Sequence, residues 1–236
     1  MSRSRLCQTF AFLCLVAYAP LSPADDQAVV FGDDFDRDDS EEAGNDWTVR
    51  GAVGVKDKAL FFKAKEEEFR PRAQRTFPAQ MEGKITATFL FDWRRESEGT
   101  WSFYMQLGNS AEIPRLLVYK EDLAKGIGVN LLWGGGDDVG GLAAGSFGYL
   151  KDGKFEALTV ANDGKKKETI AENTIVTLEI DIDNAVYDVT FNGKTYADLP
   201  FENEGPIDTI RFIANGCSAT GFSKSSIDDI LISKKQ

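Results

Sequence analysis

The sequence predicts an all-β protein, two antiparallel sheets packed face to face as a β-sandwich. The first observation is the stretch from Thr174 to Leu199, TIVTLEIDIDNAVYDVTFNGKTYADL. Val176, Leu178, Ile180 and Ile182 alternate with Thr177, Glu179, Asp181 and Asp183, and a period of two sends the apolar set to one face and the polar set to the other. Asp183-Asn184 breaks the run, and Tyr187, Val189 and Phe191 resume it against Asp188, Thr190 and Asn192. The second observation is Asn192-Gly193, a two-residue hairpin signal, because a type I′ turn needs positive φ at both central positions. Lys194 to Leu199 then forms a third strand, giving a meander with one wet and one dry face. The third observation is that short alternating runs punctuated by Gly, Asp and Asn continue along the chain, with no long helical pattern among them.

Taken in order, Val29 to Phe35 is a short first strand, followed by an acidic loop from Asp36 to Asn45 whose Asp38, Asp39 and Glu41 suit solvent or a cation. Trp47–Arg50, Val53–Lys56 and Ala59–Phe62 are small strands separated by Gly51-Ala52 and Asp57-Lys58. Lys63 to Arg72 is densely charged and allows one helical turn before Pro71; Ala73–Phe77 is a strand. Lys84–Trp93 places Ile85, Ala87, Phe89, Phe91 and Trp93 on one face, and Thr100–Gly108 does the same with Trp101, Phe103, Met105 and Leu107 while Tyr104 and Gln106 point the other way. The polar connection Arg94–Gly99 pairs these two strands. Arg115–Lys120 and Gly126–Trp133 follow as strands, then a Gly-rich loop, Gly134 to Gly141, which lacks the GKS or GxGxxG pattern of a phosphate loop. Phe147–Leu150 and Lys154–Val160 form a hairpin around Asp152-Gly153, Asn162–Lys167 is a basic turn, and after the meander Ile207–Ala214 and Ser226–Ser233 close the chain.

Composition limits the chemistry. Arg3 and Arg5 precede a mostly apolar run from Leu6 to Ala19 and a small-residue stretch ending at Ala24, the layout of a secretory signal peptide cleaved after Ala24. The run is short for a membrane anchor, and Phe12-Leu13 before Cys14 lacks the small residues of a lipoprotein site. The expected mature chain is one domain, residues 25–236, secreted or periplasmic, with no membrane insertion after cleavage. Cys7 and Cys14 leave with the signal, so Cys217 has no internal disulfide partner. The formal charge of −11 loses Arg3 and Arg5 and becomes −13, which repels nucleic acid and anionic lipid. The sequence contains no histidine, which removes Ser-His-Asp and Cys-His chemistry and His-ligated metal sites.

The two ends carry a resemblance. Phe31-Gly32-Asp33-Asp34-Phe35-Asp36 opens the chain, Ser226-Ile227-Asp228-Asp229-Ile230-Leu231-Ile232 closes it, and alternating strands with an Asn-Gly hairpin lie between. This resembles the concanavalin A-like lectin/glucanase superfamily, a jelly-roll sandwich shared by laminarinases, lichenases, laminin-G-like domains and secreted binding domains. The resemblance implies first and last strands side by side, and a structural calcium (Ca2+) held there, with Asp34 and Asp228 as the matching acids. By simple alternation Asp228 shares its side with Ile230 and Ile232 and leans toward the core, where a carboxylate needs a cation or several donors. The catalytic ExDxE or ExDxxE strand of the glucanases is absent. Glu179, Asp181 and Asp183 alternate on one strand face, at a spacing of about 6–7 Å that suits a retaining pair, but an acidic solvent face produces the same pattern.

The resemblance implies binding of a polysaccharide or other glycan by a non-catalytic, lectin-like module, with a carbohydrate-active hydrolase or a structural, adhesive envelope protein as the alternatives. Lectin sites on such sandwiches use an aromatic platform ringed by hydrogen-bonding side chains. Tyr104, Gln106, Arg115, Tyr119, Asn130 and Trp133 are the candidates on the expected concave sheet and its rim.

Overall fold

In the computed structural model, Val176, Leu178 and Ile180 are at most 1% exposed, whereas Ile175 and Glu179 on the opposite face meet water. The predicted alternation therefore becomes a two-sided strand. The structure describes residues 27–64, 71–95, 100–112, 125–133, 147–159, 173–217 and 223–235. Their strands are β1 (Gln27–Asp33), β2 (Thr48–Arg50), β3 (Val53–Lys56), β4 (Ala59–Ala64), β5 (Arg72–Gln80), β6 (Lys84–Arg95), β7 (Thr100–Gly108), β8 (Ile127–Trp133), β9 (Phe147–Lys151), β10 (Lys154–Thr159), β11 (Thr174–Asp181), β12 (Val186–Phe191), β13 (Lys194–Pro200), β14 (Ile207–Cys217) and β15 (Ser223–Lys235). The expected signal peptide and the predicted Arg115–Lys120 strand lie outside the described residues. No helix among those residues is long and apolar enough to cross a membrane.

The strands make two antiparallel sheets. An eight-stranded sheet runs β13-β12-β11-β6-β15-β4-β3 with β1 added beside β15, and a seven-stranded sheet runs β10-β9-β8-β7-β14-β5-β2. β6 and β7, consecutive in the chain, sit in different sheets; the sequence reading paired them. Each strand finds its neighbours across the sandwich by long connections instead, β6 between β11 and β15 and β7 between β8 and β14. This is a jelly-roll connection pattern.

Two-residue turns appear where the sequence places them. Asn192 and Gly193 have φ of 50° and 70°, and Asp152 and Gly153 have 50° and 71°, the positive values that match hairpin twist. Asp57-Lys58 adopts the same geometry, at 52° and 62°, without a glycine.

The core lies between the sheets and is rich in rings. Phe62 and Phe91 of the eight-stranded sheet meet Phe103 of the other at 5.3 and 4.9 Å, and Phe89 meets Phe212 edge-on at 5.2 Å. Phe147 stacks on Phe191 at 4.7 Å, closing the far end. Tyr187 is buried and donates its hydroxyl to the Gly128 carbonyl of the facing sheet at 3.2 Å; burial pushes this phenol far above its ordinary pKa.

Candidate functional site

The first and last strands pair as the resemblance implied: Phe31 faces Ile232, and Asp33 faces Ile230. The acid that this junction buries is Asp33, not Asp34. Asp33 is 5% exposed and accepts bonds from Arg37 Nη1 at 2.8 Å, Trp47 Nε1 at 2.8 Å and the Phe35 amide at 3.0 Å. Burial alone would raise its pKa, but these donors outweigh burial and hold it below the usual carboxylate range. Asp33 is a structural anion, fully occupied by its own donors. Asp34 is exposed and caps the Asp36 amide at 3.1 Å.

Asp228 departs from the expectation that it leans into the core. β15 carries a bulge against β6: Asp228 pairs with Leu90 and Leu231 with Thr88, so Asp229 and Ile230 together oppose Phe89. Asp229 takes a φ of 49°. The extra residue resets the alternation, so that Ile227, Ile230 and Ile232 all point inward while Asp228 stands beside Leu90 on the outer face, half-buried. Desolvation there, together with Asp229, Asp34 and Asp33 nearby, pushes its pKa up to about 6, against the one hydrogen bond it accepts from the Asp229 amide. A bound calcium needs six or more oxygens around it. Among the described residues no three Asp, Glu or Cys side chains form a group able to hold a metal, and Asp34 and Asp228 alone do not fit one.

The binding candidates on the seven-stranded sheet share its outer face. Cross-strand pairing sets Gln74, Arg211 and Gln106 in one row and Arg72, Ile213, Tyr104 and Asn130 in the next. Arg211 donates to the Gln106 side-chain oxygen, and Gln106 donates to the Lys125 carbonyl at 3.3 Å. All of these polar residues are buried: Gln106 and Asn130 are 0% exposed, Arg211 1% and Tyr104 3%. Tyr104 packs in a second apolar cluster with Leu150, Phe155 and Ile213, and its ring lies 5.8 Å from that of Phe155. It therefore presents no open stacking face. The backbone of Trp133 pairs with Ser102; its side chain, and Arg115 and Tyr119, lie outside the description. Asp181 of the acidic strand face pairs with Lys84 at 3.1 Å and caps Asn184, while Asp183 accepts the Gly83 amide at 3.0 Å. Both carboxylates serve the local turn.

An open depression sits instead on the outer face of the eight-stranded sheet. It holds about 400 Å³ and is lined by Lys56, Asp57, Phe61, Leu90, Asp92 and Asp228, with Ala59, Asn173, Ser225 and Ser226. Strand register builds it. Gly54, Phe61, Ser226 and Asp92 lie in one row across four strands, and Ile175, Leu90 and Asp228 in the next. The small residues Ala59 and Ser226 leave the hollow that Phe61 floors. A second depression of about 770 Å³ adjoins it, and Lys56 and Phe61 line both. The sequence reading missed this groove. A signal existed in Phe61-Phe62 and in Leu90 of FLFDW: two adjacent rings on a strand cannot both be core, so one must face out.

No protein family model and no curated protein match the sequence. Solved structures match the fold. The carbohydrate recognition domain of Emp47p is 12% identical, covering 91% of this chain and 100% of that one at a TM-score of 0.64. Lectin II from Ulex europaeus is 9% identical, covering 81% of this chain and 94% of that one at 0.53. A sialidase is 12% identical at 0.55; 87% of this chain aligns, spanning only 18% of the sialidase. The chain has the concanavalin A-like jelly-roll fold that its two ends suggested.

Proposed function

We propose that the protein is a carbohydrate-binding β-sandwich and that its site is the groove on the outer face of the eight-stranded sheet. The observation that carries this is the groove's composition: the Phe61 ring on its floor, Leu90 on the far side of β15, and carboxylates, a hydroxyl and an amide around them at Asp92, Asp228, Ser226 and Asn173. A sugar ring has an apolar face to stack and hydroxyls to be read by such groups. The adjoining depression provides length for more than one ring. The fold supports the same reading, since structures that share it are described as a carbohydrate recognition domain and as lectins. Export through cleavage after Ala24 belongs to this proposal, and the mass of the mature chain reads it directly.

The test is a glycan array followed by titration of any hit against wild type and Phe61→Ala. The expected result is binding weakened at least tenfold by the variant, with an unchanged circular dichroism spectrum. Equal affinity of the two proteins would remove the groove from consideration.

A second reading follows from Asp228 itself. A carboxyl that keeps its proton to about pH 6 in an open groove is suited to act as a general acid toward a glycosidic oxygen. Asp92 lies diagonally across the β6–β15 pair, roughly 7–8 Å away by sheet geometry, and would be the second carboxylate of an inverting pair. Release of reducing ends from an array hit, lost in Asp228→Asn, would select this reading over binding alone.

A further inference from the structure

We propose that this groove is selective for glycans that carry protonated amino groups. The inference rests on the glycan-binding reading and names the class of sugar. Among the described residues, three acids, Asp57, Asp92 and Asp228, line the groove against one base, Lys56, in a chain whose formal charge is −11. An anionic sugar is repelled by such a lining, and a neutral one gains nothing from it.

The groove also already holds an ammonium. Lys56 Nζ lies 5.8 Å from the centre of the Phe61 ring, within the range of a cation–π contact. Lys56 is exposed and sits on a flexible four-carbon stem, so it can swing into solvent. A ligand ammonium then takes its place over the ring and among the carboxylates, while the apolar face of the sugar covers Phe61 and Leu90.

The geometry favours a ring over a basic peptide. An extended peptide would bind by adding a strand to the β3 edge, but the chain closes that edge itself. The Ser40 amide donates to the Val55 carbonyl at 2.9 Å, and the Val55 amide to the Ser40 carbonyl at 2.8 Å. Gly54 permits this approach, since a Cβ there would lie 2.3 Å from the Ser40 oxygen. What remains open is the sheet face, where side chains rather than main chain make the contacts.

The test titrates the full mature chain at pH 6.5 with glucosamine oligomers, N-acetylglucosamine oligomers of equal length, and pentalysine. Glucosamine oligomers are expected to bind at least tenfold more tightly than the acetylated ones. The Asp57→Asn/Asp92→Asn/Asp228→Asn variant should erase that preference, and Asp228→Asn alone should reduce it if the triple variant does not fold. Lys56→Ala should tighten binding of glucosamine oligomers severalfold by vacating the ring. Equal affinity for the two oligomers, tighter binding of pentalysine, or weaker glucosamine binding by Lys56→Ala would each overturn the proposal. Phe61-dependent binding of neutral glycans without an amine preference would overturn the charge selectivity alone, whereas silence to every glycan would bring down the carbohydrate reading with it.

Discussion

Asp228 stands half-buried among other acids, beside Leu90 and close to Asp229, Asp34 and Asp33. Its folded-state pKa of about 6 lies above the ordinary value of 3.8, so the native state holds this proton more tightly than the unfolded chain. Above pH 6 the group is ionised in both states and its unfavourable surroundings cost stability in full. As pH falls from 6 toward 4 that cost disappears. Asp228→Asn should therefore stabilise the protein at pH 7 by about 1 kcal/mol, after solvent screening of a partly exposed site, and by almost nothing at pH 4. Melting of both proteins across that range measures it; a variant less stable at pH 7 would show that the carboxylate has a favourable partner. Asp33 has the opposite sign: Arg37 and Trp47 hold it ionised, so its contribution is present above the usual carboxylate pKa and is lost in acid.

At the level of elements, the bulge in β15 decides which side chains are core. Asp229 is one inserted residue at φ 49°, and it lets Ile227 and Ile230 face inward although their spacing is odd. Deleting Asp229 would leave Ile230 alone opposite Phe89, a regular ladder in which Ile227, Ile230 and Ile232 keep the inner face and Asp228 the outer. The expected change is about 1 kcal/mol or less, since only the local twist of the bulge is lost, read from the urea midpoint. Asp229→Gly, which keeps the bulge and relieves the left-handed backbone, should leave the midpoint unchanged or raise it. A fall of several kcal/mol in the deletion variant would show that the twist of the bulge, and not alternation alone, seats the isoleucines.

For the molecule as a whole, the two outer faces differ in kind. That of the seven-stranded sheet carries buried polar residues and the Tyr104 cluster, while that of the eight-stranded sheet is open at the Phe61 groove. The junction of first and last strands is closed by Asp33 with Arg37 and Trp47 as its donors, and among the described residues no Asp, Glu or Cys group there is large enough to hold a calcium ion. Melting in millimolar calcium and in EDTA should give the same midpoint within about 1 °C. A difference of several degrees would amount to about 1 kcal/mol or more and would show that further ligands complete a site.

Much of this was legible in the residues. Period-two runs in Thr174–Leu199, Lys84–Trp93 and Thr100–Gly108 fix strands and their core faces, because side-chain alternation is a property of a single strand. Asn192-Gly193 and Asp152-Gly153 fix their turns, because positive φ is a property of single residues. The adjacency of the two ends came from a family resemblance rather than from any local signal. Three features depended on which strands meet. β6 and β7 are separated into opposite sheets although consecutive, Asp228 is turned outward by a bulge visible only against β6, and Tyr104 is enclosed by Phe155 and Leu150 from strands more than forty residues later. The groove belongs to the same class: Phe61, Asp92 and Ser226 are far apart in the chain and become one row only through pairing. Local chemistry determines the strands, and long-range register, set by burying one face of every strand at once, determines what the other face presents to a ligand.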